Sequence, residues 1–385
     1  MNNFDLRNPT HILFGKGRIS DLGAQVPIDA KVLLIYGGGS AERTGVLAQV
    51  RAALGDRSVV EFGGIEPNPR YATALKAVDL IAAHGITFLL AVGGGSVIDA
   101  TKFIAAAAKF AGVPSDILTS WGSAVSSALP FGTVLTLPAT GSEMNPASVI
   151  THVEKGAKLP FMSPHCYPVF SILDPELTYT LPPRQIANGV ADAFVHIIEQ
   201  YLTYPVNAAV QDGFAETLLR TLIDLGPKAL ETPLDYDIRA NLMWTATLAL
   251  NGLIGAGVPQ DWASHMIGHE ITALNDTDHA RTLAVVLPAL MQDQRGPKRA
   301  KLLQYAANVW NIREGSEDAR IDAAITATRD FFHKMGIQTR LRDYGLGAAD
   351  IDRIVAALKD HGMTAIGESQ AITPDTARRI LQAAL

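Results

Sequence analysis

The chain has 385 residues, of which 48% are hydrophobic and 18% are charged, and its formal net charge is −6. These values predict a globular protein long enough for two sizeable cores, and they exclude intrinsic disorder and a strongly basic nucleic-acid-binding surface. The sequence shows no signal-peptide pattern and no apolar run of membrane-spanning length, so we expect a cytoplasmic protein. The single cysteine, Cys166, excludes an internal disulfide and is interpreted as a buried structural thiol.

The first part of the chain alternates short apolar runs with helical patterns. Helical periods cover 46–54 and 71–84, and a β-like return runs through Lys158 to Phe161. The apolar runs typical of buried strands cover 31–36, 58–62, 87–92, 132–137 and 170–173. This alternation predicts a parallel α/β sheet of the Rossmann-like kind.

A proline-marked stretch, 174–183, separates this region from one of different character. From Arg184 onwards the hydrophobic periods are almost entirely helical. The predicted helices cover 184–203, 206–230, 237–254, 259–274, 281–292, 298–312, 318–335, 348–360 and 373–384. The sequence therefore predicts an α/β domain over residues 1–183 and an all-helical domain over residues 184–385.

Two glycine triplets end predicted strands in the α/β region. Gly37–Gly39 precedes Ser40, and Gly93–Gly95 precedes Ser96, each where a strand gives way to a helix. Parallel sheets bind ligands at this edge, glycine lets the backbone approach a phosphate, and Ser96 could cap a helix whose N-terminus favours an anion. Neither triplet matches the G-x-G-x-x-G fingerprint, so plain tight turns are an equally good interpretation.

Polar side chains follow two of these strands. Asp99, in the helix after the second triplet, is either a cofactor contact or a first-turn acid that stabilises the helix dipole. The strand at 132–137 ends in Pro138–Glu143, which contains Thr140 and Ser142. Their hydroxyls could face a phosphate or a ribose, or they could simply cap a polar turn.

The helical region contains an Asp and a His one turn apart, Asp192 and His196, in the stretch 189–201. They lie on one face of a helix that is apolar on nearly every other side, so both should be buried. Such a pair is by itself more often an ion pair or a hydrogen bond than a metal site. However, a buried carboxylate needs a positive charge or several hydrogen bonds, and a metal ion is one such partner.

Three further histidines are clustered in the same region. His265 and His269 are one turn apart on a predicted helix, and His279 follows a polar turn. A zincin motif is excluded because Met266 stands where that motif requires Glu. Together with the Asp/His pair, the cluster predicts a metal site.

With these features, the chain resembles the iron-containing alcohol dehydrogenase family, in particular its NADPH-dependent, broad-specificity aldehyde reductases. The likeness runs nearly end to end and includes Phe14–Gly17, Gly63–Pro69, Asn251–Trp262 and Tyr344–Leu346. The resemblance implies an N-terminal dinucleotide-binding domain, an all-helical metal-binding domain, a deep cleft between them and a homodimer.

The resemblance also assigns roles to individual residues. It implies metal ligation by Asp192, His196, His265 and His279, with zinc or iron(II) as the ion, and one carboxylate with three imidazoles suits either. His269 matches an additional cleft histidine, a candidate proton relay whose simpler interpretation is pairing with Glu270 or a backbone carbonyl. The implied cofactor contacts are Gly94, Gly95, Ser96, Asp99, Asn68, Thr140, Ser142, Lys158 and Tyr179.

The first glycine triplet bears on the choice of cofactor. NAD-preferring relatives often carry an acid after this strand, which repels a 2′-phosphate. Here the place is uncharged, which favours NADP, and Arg43 could neutralise a phosphate although Glu42 stands beside it. The uncharged residues are Gly37, Gly38, Gly39 and Ser40.

The sequence therefore predicts a metal-dependent NADP(H) oxidoreductase that interconverts aldehydes and primary alcohols, without a nucleic-acid or membrane partner. Trp262, close to His265, is either a wall of an apolar substrate pocket or a core residue. The alternative is a metal- and dinucleotide-dependent lyase of the dehydroquinate synthase type. That enzyme should need several cationic residues near the metal ligands, where only Arg281 stands. A non-catalytic nucleotide sensor would have no use for the metal set.

Overall fold

The computed structural model describes residues 1–385 and contains two compact units. The sheet unit comprises residues 7–181 and 234–243, and the helical unit comprises residues 1–6, 182–233 and 244–385. Each unit is thus built from segments that are separate in the sequence. The predicted domain division after residue 183 stays a prediction.

A six-stranded parallel sheet forms the centre of the sheet unit, as predicted. Its order is β1-β8-β5-β4-β2-β3, and β6 and β7 form a separate antiparallel pair. The strands are β1 (His11–Phe14), β2 (Lys31–Gly37), β3 (Ser58–Ile65), β4 (Phe88–Gly94), β5 (Phe131–Leu137), β6 (Ala147–His152), β7 (Ala157–Met162) and β8 (Phe170–Leu173). The inner strands are buried on both faces, which is why they are continuous apolar runs in the sequence. The sequence patterns did not reveal β1 and β6.

Six helices alternate with the strands along the first part of the chain. They are α1 (Leu22–Gln25), α2 (Ser40–Arg43), α3 (Val46–Leu54), α4 (Tyr71–His84), α5 (Gly95–Ala107) and α6 (Ser115–Thr119). One cluster of buried apolar side chains packs α4 and α5 against one face of the sheet. A second cluster packs α3 against the opposite face. The helices that follow β2 and β4 begin next to the two glycine triplets, at the carboxyl ends of those strands.

The predicted helices of the second half are all present. They are α7 (Pro183–Tyr201), α8 (Ala209–Glu231), α9 (Tyr236–Ala249), α10 (Ala263–Asn275), α11 (His279–Asp293), α12 (Arg299–Asn308), α13 (Glu317–Lys334), α14 (Ala348–Asp360) and α15 (Pro374–Ala383). The predicted ends are least accurate around 250–262. Helix α9 ends at Ala249, and Gly252 and Gly257, with positive φ angles of 94° and 72°, lie in the turns that precede α10. No helix combines the length and the apolar character needed to span a membrane.

The sheet core predicts the effect of one small substitution. Gly132 on β5 pairs with Phe170 on β8, and a Cβ at this glycine would lie 2.2 Å from Cζ of that ring. We expect Gly132→Ala to destabilise the protein by about 1–3 kcal/mol because the packed ring and strand must shift. Thermal and urea unfolding would measure the loss.

Gly213→Ala provides the matched control. Gly213 lies in α8, and no atom lies within 4 Å of an added Cβ. Alanine has the higher helix propensity, so this variant should be neutral or more stable by up to about 1 kcal/mol. Equal stability of the two variants would contradict the packing argument.

Candidate metal centre and cofactor loops

Helix α7 buries the first part of the candidate metal centre. The helix begins with Pro183, a residue suited to the first helical position, and every residue from 186 to 201 is buried. Asp192 and His196 are only 4% and 5% exposed. The structure thus confirms a buried helix with a carboxylate and an imidazole on one face.

Three predicted ligands converge closely enough to hold one ion. Ligand atoms of Asp192, His265 and His279 all lie within 4.8 Å of one another. Oδ1 of Asp192 is buried and accepts no hydrogen bond, which leaves it available to a cation. One carboxylate and two imidazoles are a donor set that suits zinc or iron(II), so these residues fit a divalent transition metal.

The fourth predicted ligand, His196, lies beside this group. Its Nε2 is 3.9 Å from Oδ1 of Asp192, about as close as the 4.0 Å that separates Nε2 of His279 from the same oxygen. The rings of His196 and His265 stack with their centroids 4.7 Å apart. The three predicted imidazole ligands therefore lie around the buried Asp192 carboxylate, and metal ligation by all four residues stays a prediction.

Glu199 is a functional residue that the sequence patterns did not reveal. Its Oε2 accepts a hydrogen bond from Nδ1 of His265, and its Oε1 accepts the backbone N–H of Ser264 at 2.5 Å. Burial raises the pKa of this carboxyl to about 7. Since Nδ1 of His265 is engaged, Nε2 is the atom left for a metal. Glu199 stands two turns after Asp192 on α7, and this spacing was the available signal.

Asp278, the residue before the candidate ligand His279, is hydrogen-bonded to the first turns of α7. Its Oδ2 accepts hydrogen bonds from Nε of Arg184 and from Nδ2 of Asn188, both at 2.7 Å. Burial disfavours ionisation, but the hydrogen bonds from these partners hold the pKa of Asp278 below its usual value. Because Asp278 directly precedes His279 and Asn188 lies one turn before Asp192, the contact sets the position of one candidate ligand against another.

His269 and Trp262 lie against the same cluster. The His269 ring is buried, with its centroid 4.9 Å from that of His279. The Glu270 carboxylate binds Nδ1 of His361 at 2.8 Å, and the role of His269 stays a prediction. The Trp262 ring is 5.2 Å from His265, so it lines the candidate centre.

The second glycine triplet leads into α5 differently from the sequence prediction. The helix begins at Gly95 and its N-cap is Gly94, so the predicted cap by Ser96 is wrong. The Ser96 hydroxyl instead donates to the carbonyl of Pro67. Gly95 is required by close packing, because a Cβ there would lie 2.4 Å from Oγ1 of Thr140.

Asp99 is also held by neighbouring groups. The first turn of α5 contains no acid, so the interpretation of Asp99 as a first-turn acid is wrong. Its carboxylate accepts the Ser142 hydroxyl at 2.6 Å and the Val149 N–H at 2.9 Å. Burial raises its pKa, which the nearby cations Lys102 and Lys158 oppose. Asp99 therefore joins α5 to the loop that contains Ser142.

Lys102 is a second residue that the sequence patterns did not reveal. It is fully buried, and its Nζ donates to Ser142 Oγ at 2.7 Å, to Asn145 Oδ1 at 3.0 Å and to the Ala147 carbonyl at 2.7 Å. Burial lowers the pKa of this amine to about 8. These contacts fix the loop after β5 upon α5. A lysine within a helix of small apolar residues was the available signal.

The remaining predicted cofactor contacts lie in the sheet unit. Asn68, Lys158 and Tyr179 are all half-buried, in the loop after β3, on β7 and in the turn after β8. Their positions in the fold do not by themselves show a contact with a cofactor. Their roles stay predictions.

Near the first glycine triplet, the two acidic residues are bound by one arginine. Arg51 on α3 donates to both carboxylate oxygens of Glu42, at 3.0 and 2.8 Å, and to both of Glu61, at 2.7 and 2.9 Å. Arg43 is exposed and has no carboxylate within ion-pair distance. Its Nη1 lies 3.5 Å from where a Cβ on Gly39 would be. The free positive charge at this turn is therefore that of Arg43.

Comparisons with known proteins agree along the whole chain. Residues 9–175 match the family model for iron-containing alcohol dehydrogenase, and residues 186–385 match the model for the C-terminal domain of the Fe-containing alcohol dehydrogenase family. The NADPH-dependent aldehyde reductase YqhD of Escherichia coli K12 is 61% identical, with both chains covered completely. A probable NADH-dependent butanol dehydrogenase of Bacillus subtilis is 40% identical, again with complete coverage of both chains.

The fold is likewise shared. The crystal structure of E. coli YqhD has a TM-score of 0.99 and 60% identity, and the match covers 100% of this chain and 99% of the other. The matched family models, the sequence identity and the shared fold show that the chain belongs to the iron-containing alcohol dehydrogenase family.

Proposed function

We propose that this protein is a metal-dependent NADP(H) oxidoreductase that interconverts aldehydes and primary alcohols and acts as a broad-specificity aldehyde reductase. The observation that carries this proposal is the convergence of Asp192, His265 and His279, whose ligand atoms lie within 4.8 Å of one another. Membership of a family of alcohol dehydrogenases supports the reaction class. The 61% identity with an NADPH-dependent aldehyde reductase supports the direction and the cofactor.

In this proposal the four residues Asp192, His196, His265 and His279 hold zinc or iron(II). When bound, the ion acts as a Lewis acid that polarises a carbonyl oxygen, and the reduced nicotinamide supplies the hydride. Glu199 keeps His265 in the tautomer that presents Nε2. The burial of α7 keeps water away from the carboxylate, which strengthens its attraction for a cation.

His269 is the proposed proton donor to the oxygen of the reduced product. Its buried ring lies beside that of His279, with the two centroids 4.9 Å apart, which places an imidazole next to the candidate metal centre. An imidazole can act as a general acid near neutral pH. Trp262 would form an apolar wall for the substrate chain.

The proposed cofactor contacts lie around the carboxyl ends of the sheet strands, where parallel sheets bind dinucleotides. The glycine triplets would face the phosphates and the adenosine ribose, and the polar side chains would complete the site. These side chains are Asn68, Ser96, Asp99, Thr140, Ser142, Lys158 and Tyr179. Lys102 and Asp99 support the proposal because they fix the loop of Ser142 before any cofactor binds.

The alternative lyase function is not favoured. A phosphorylated, acidic substrate would need free cationic side chains close to the metal ligands. Arg184 and Arg281 are the arginines nearest to the ligands in sequence, and both lie within 4.0 Å of Asp278, at 2.7 and 3.5 Å. Asp278 offsets one of these two positive charges, so a single net positive charge is left here, which is fewer than such a substrate needs.

A cytoplasmic location and a homodimer complete the proposal. The support for both is the resemblance to the family. Analytical ultracentrifugation at micromolar concentration would test the dimer: a single species of twice the chain mass is expected, and a monomer at all concentrations would refute it.

The metal site predicts sensitivity to chelation and to Asp192. NADPH oxidation with butyraldehyde should be lost after chelation and restored by either zinc or iron(II). Asp192→Asn keeps the shape but removes the charge, and we expect kcat/KM to fall by about a hundredfold or more together with bound metal. His165→Gln, at an exposed histidine in the sheet unit, is the control. Full activity after chelation would refute the metal site.

The role of His269 predicts a loss of rate without a loss of metal. His269→Gln should lower kcat by about a hundredfold, the usual size of a general-acid contribution, while the metal content measured by atomic spectroscopy stays at the wild-type level. His361→Gln alters the neighbouring Glu270 pair and serves as the control. If His269→Gln loses its metal, the residue is a ligand and not a proton donor.

The arrangement at the first glycine triplet predicts cofactor preference. Arg51→Met should release Glu42 and Glu61 and lower the ratio of kcat/KM for NADPH over NADH by about three- to fivefold, with a smaller effect at high salt. The double variant Arg51→Met/Glu42→Gln should recover much of the lost ratio. Adding Arg43→Met to Arg51→Met should lower the ratio further. An unchanged ratio in Arg51→Met would contradict the account of Glu42.

A further inference from the structure

One buried lysine joins the ends of the two helices that supply most of the candidate ligands. Lys298 precedes α12, and its side chain is only 3% exposed. Its Nζ donates to the carbonyl of Leu202, where α7 ends, at 2.7 Å, and lies 2.9 Å from Oδ2 of Asp261. The other oxygen of Asp261 accepts the N–H of Ala263, the first residue of α10, at 3.2 Å.

A third partner completes the coordination of the ammonium group. Oε1 of Glu368, in the segment between α14 and α15, accepts from Nζ of Lys298 at 2.7 Å. All three N–H groups of Lys298 are thus used, and the two carboxylates and the ammonium are all buried. A buried charge cluster of this kind adds little net stability compared with apolar packing, but its directional contacts can hold the elements it joins in one geometry.

The cluster is connected directly to a candidate metal ligand. The backbone carbonyl of Glu199 accepts the N–H of Asp261 at 2.8 Å, and the Glu199 carboxylate binds His265. Glu199, Asp261 and Lys298 line one small internal cavity, which is otherwise bounded by apolar side chains. A continuous series of contacts therefore runs from Lys298 through Asp261 and Glu199 to His265.

We propose that Lys298 is a positioning residue of the metal centre. By binding the end of α7 and the start of α10 together, it sets the two ligands of α7, Asp192 and His196, at the distance from His265 that one ion requires. The inference rests on the metal site proposed above. It differs from a general stabilising role because metal ligands must be held to within about 0.5 Å, whereas the fold tolerates larger shifts.

The test compares two variants of the cluster with a matched control. Lys298→Met removes the ammonium group at nearly constant length, and Asp261→Ala removes the contact with α10 while Lys298 stays paired with Glu368. Lys301→Met is the control: Lys301 is in the first turn of α12, which begins directly after Lys298, its side chain is 6% exposed, and its Nζ lies 2.5 Å from Oδ1 of Asp212 on α8. Zinc affinity of the metal-depleted protein is measured by competition with a chromophoric chelator, together with thermal unfolding.

We expect zinc to bind about ten- to a hundredfold more weakly to Lys298→Met and Asp261→Ala than to the wild type. Lys301→Met should unfold at a lower temperature but keep wild-type zinc affinity. Unchanged affinity in a folded Asp261→Ala variant, or an equal loss in Lys301→Met, would overturn the proposal. A wild-type protein that binds no zinc or iron(II) would instead overturn the metal site itself.

Discussion

The structure depends on one electrostatic constraint, the burial of the Asp192 carboxylate within a helix whose other sides face apolar neighbours. A carboxylate taken out of water must be compensated or it changes its protonation state. Here Oδ1 accepts no hydrogen bond, and the groups that face it are imidazoles about 4 Å away. A bound cation is the compensation that we propose for this carboxylate. The rest of the helical unit can be understood as the support of that arrangement.

The support is itself made of buried charges, each tied to a different element. Glu199 orients His265, Asp278 joins His279 to the start of α7, and Lys298 joins the end of α7 to the start of α10. Apolar packing would stabilise a helical bundle at least as much as these contacts, because it does not require the desolvation of charged groups. What they provide is direction, which a ligand set needs and a hydrophobic core does not supply.

The sequence predicted those features that are repeated along the chain or confined to one turn. Buried strands and helices have hydrophobic periods, and Asp192 and His196 are one turn apart, so both were visible without the fold. Glu199 and Lys298 were not predicted, because their partners are distant in the sequence. The spacing of Glu199 two turns after Asp192 was the only local signal for it, and spacing alone does not show which partner a buried charge has. Ser96 and Asp99 show the same limit from the other side: α5 begins at Gly95, and a shift of one or two residues at a helix start changes what each side chain can do.

Cofactor choice is a property of local charge, which the fold leaves open. Relatives of this chain with complete coverage include one named for NADPH and one named for NADH, so the shared sheet does not decide between them. At the turn after β2 the sequence presents Glu42 and Arg43 side by side; the uncharged glycines favoured NADP, and Glu42 left the strength of that preference open. In the structure Arg51 binds both carboxylates in bidentate fashion and Arg43 keeps its charge unopposed. Glu42 therefore argues less strongly against a 2′-phosphate, because Arg51 on the next helix offsets one of the two negative charges of Glu42 and Glu61.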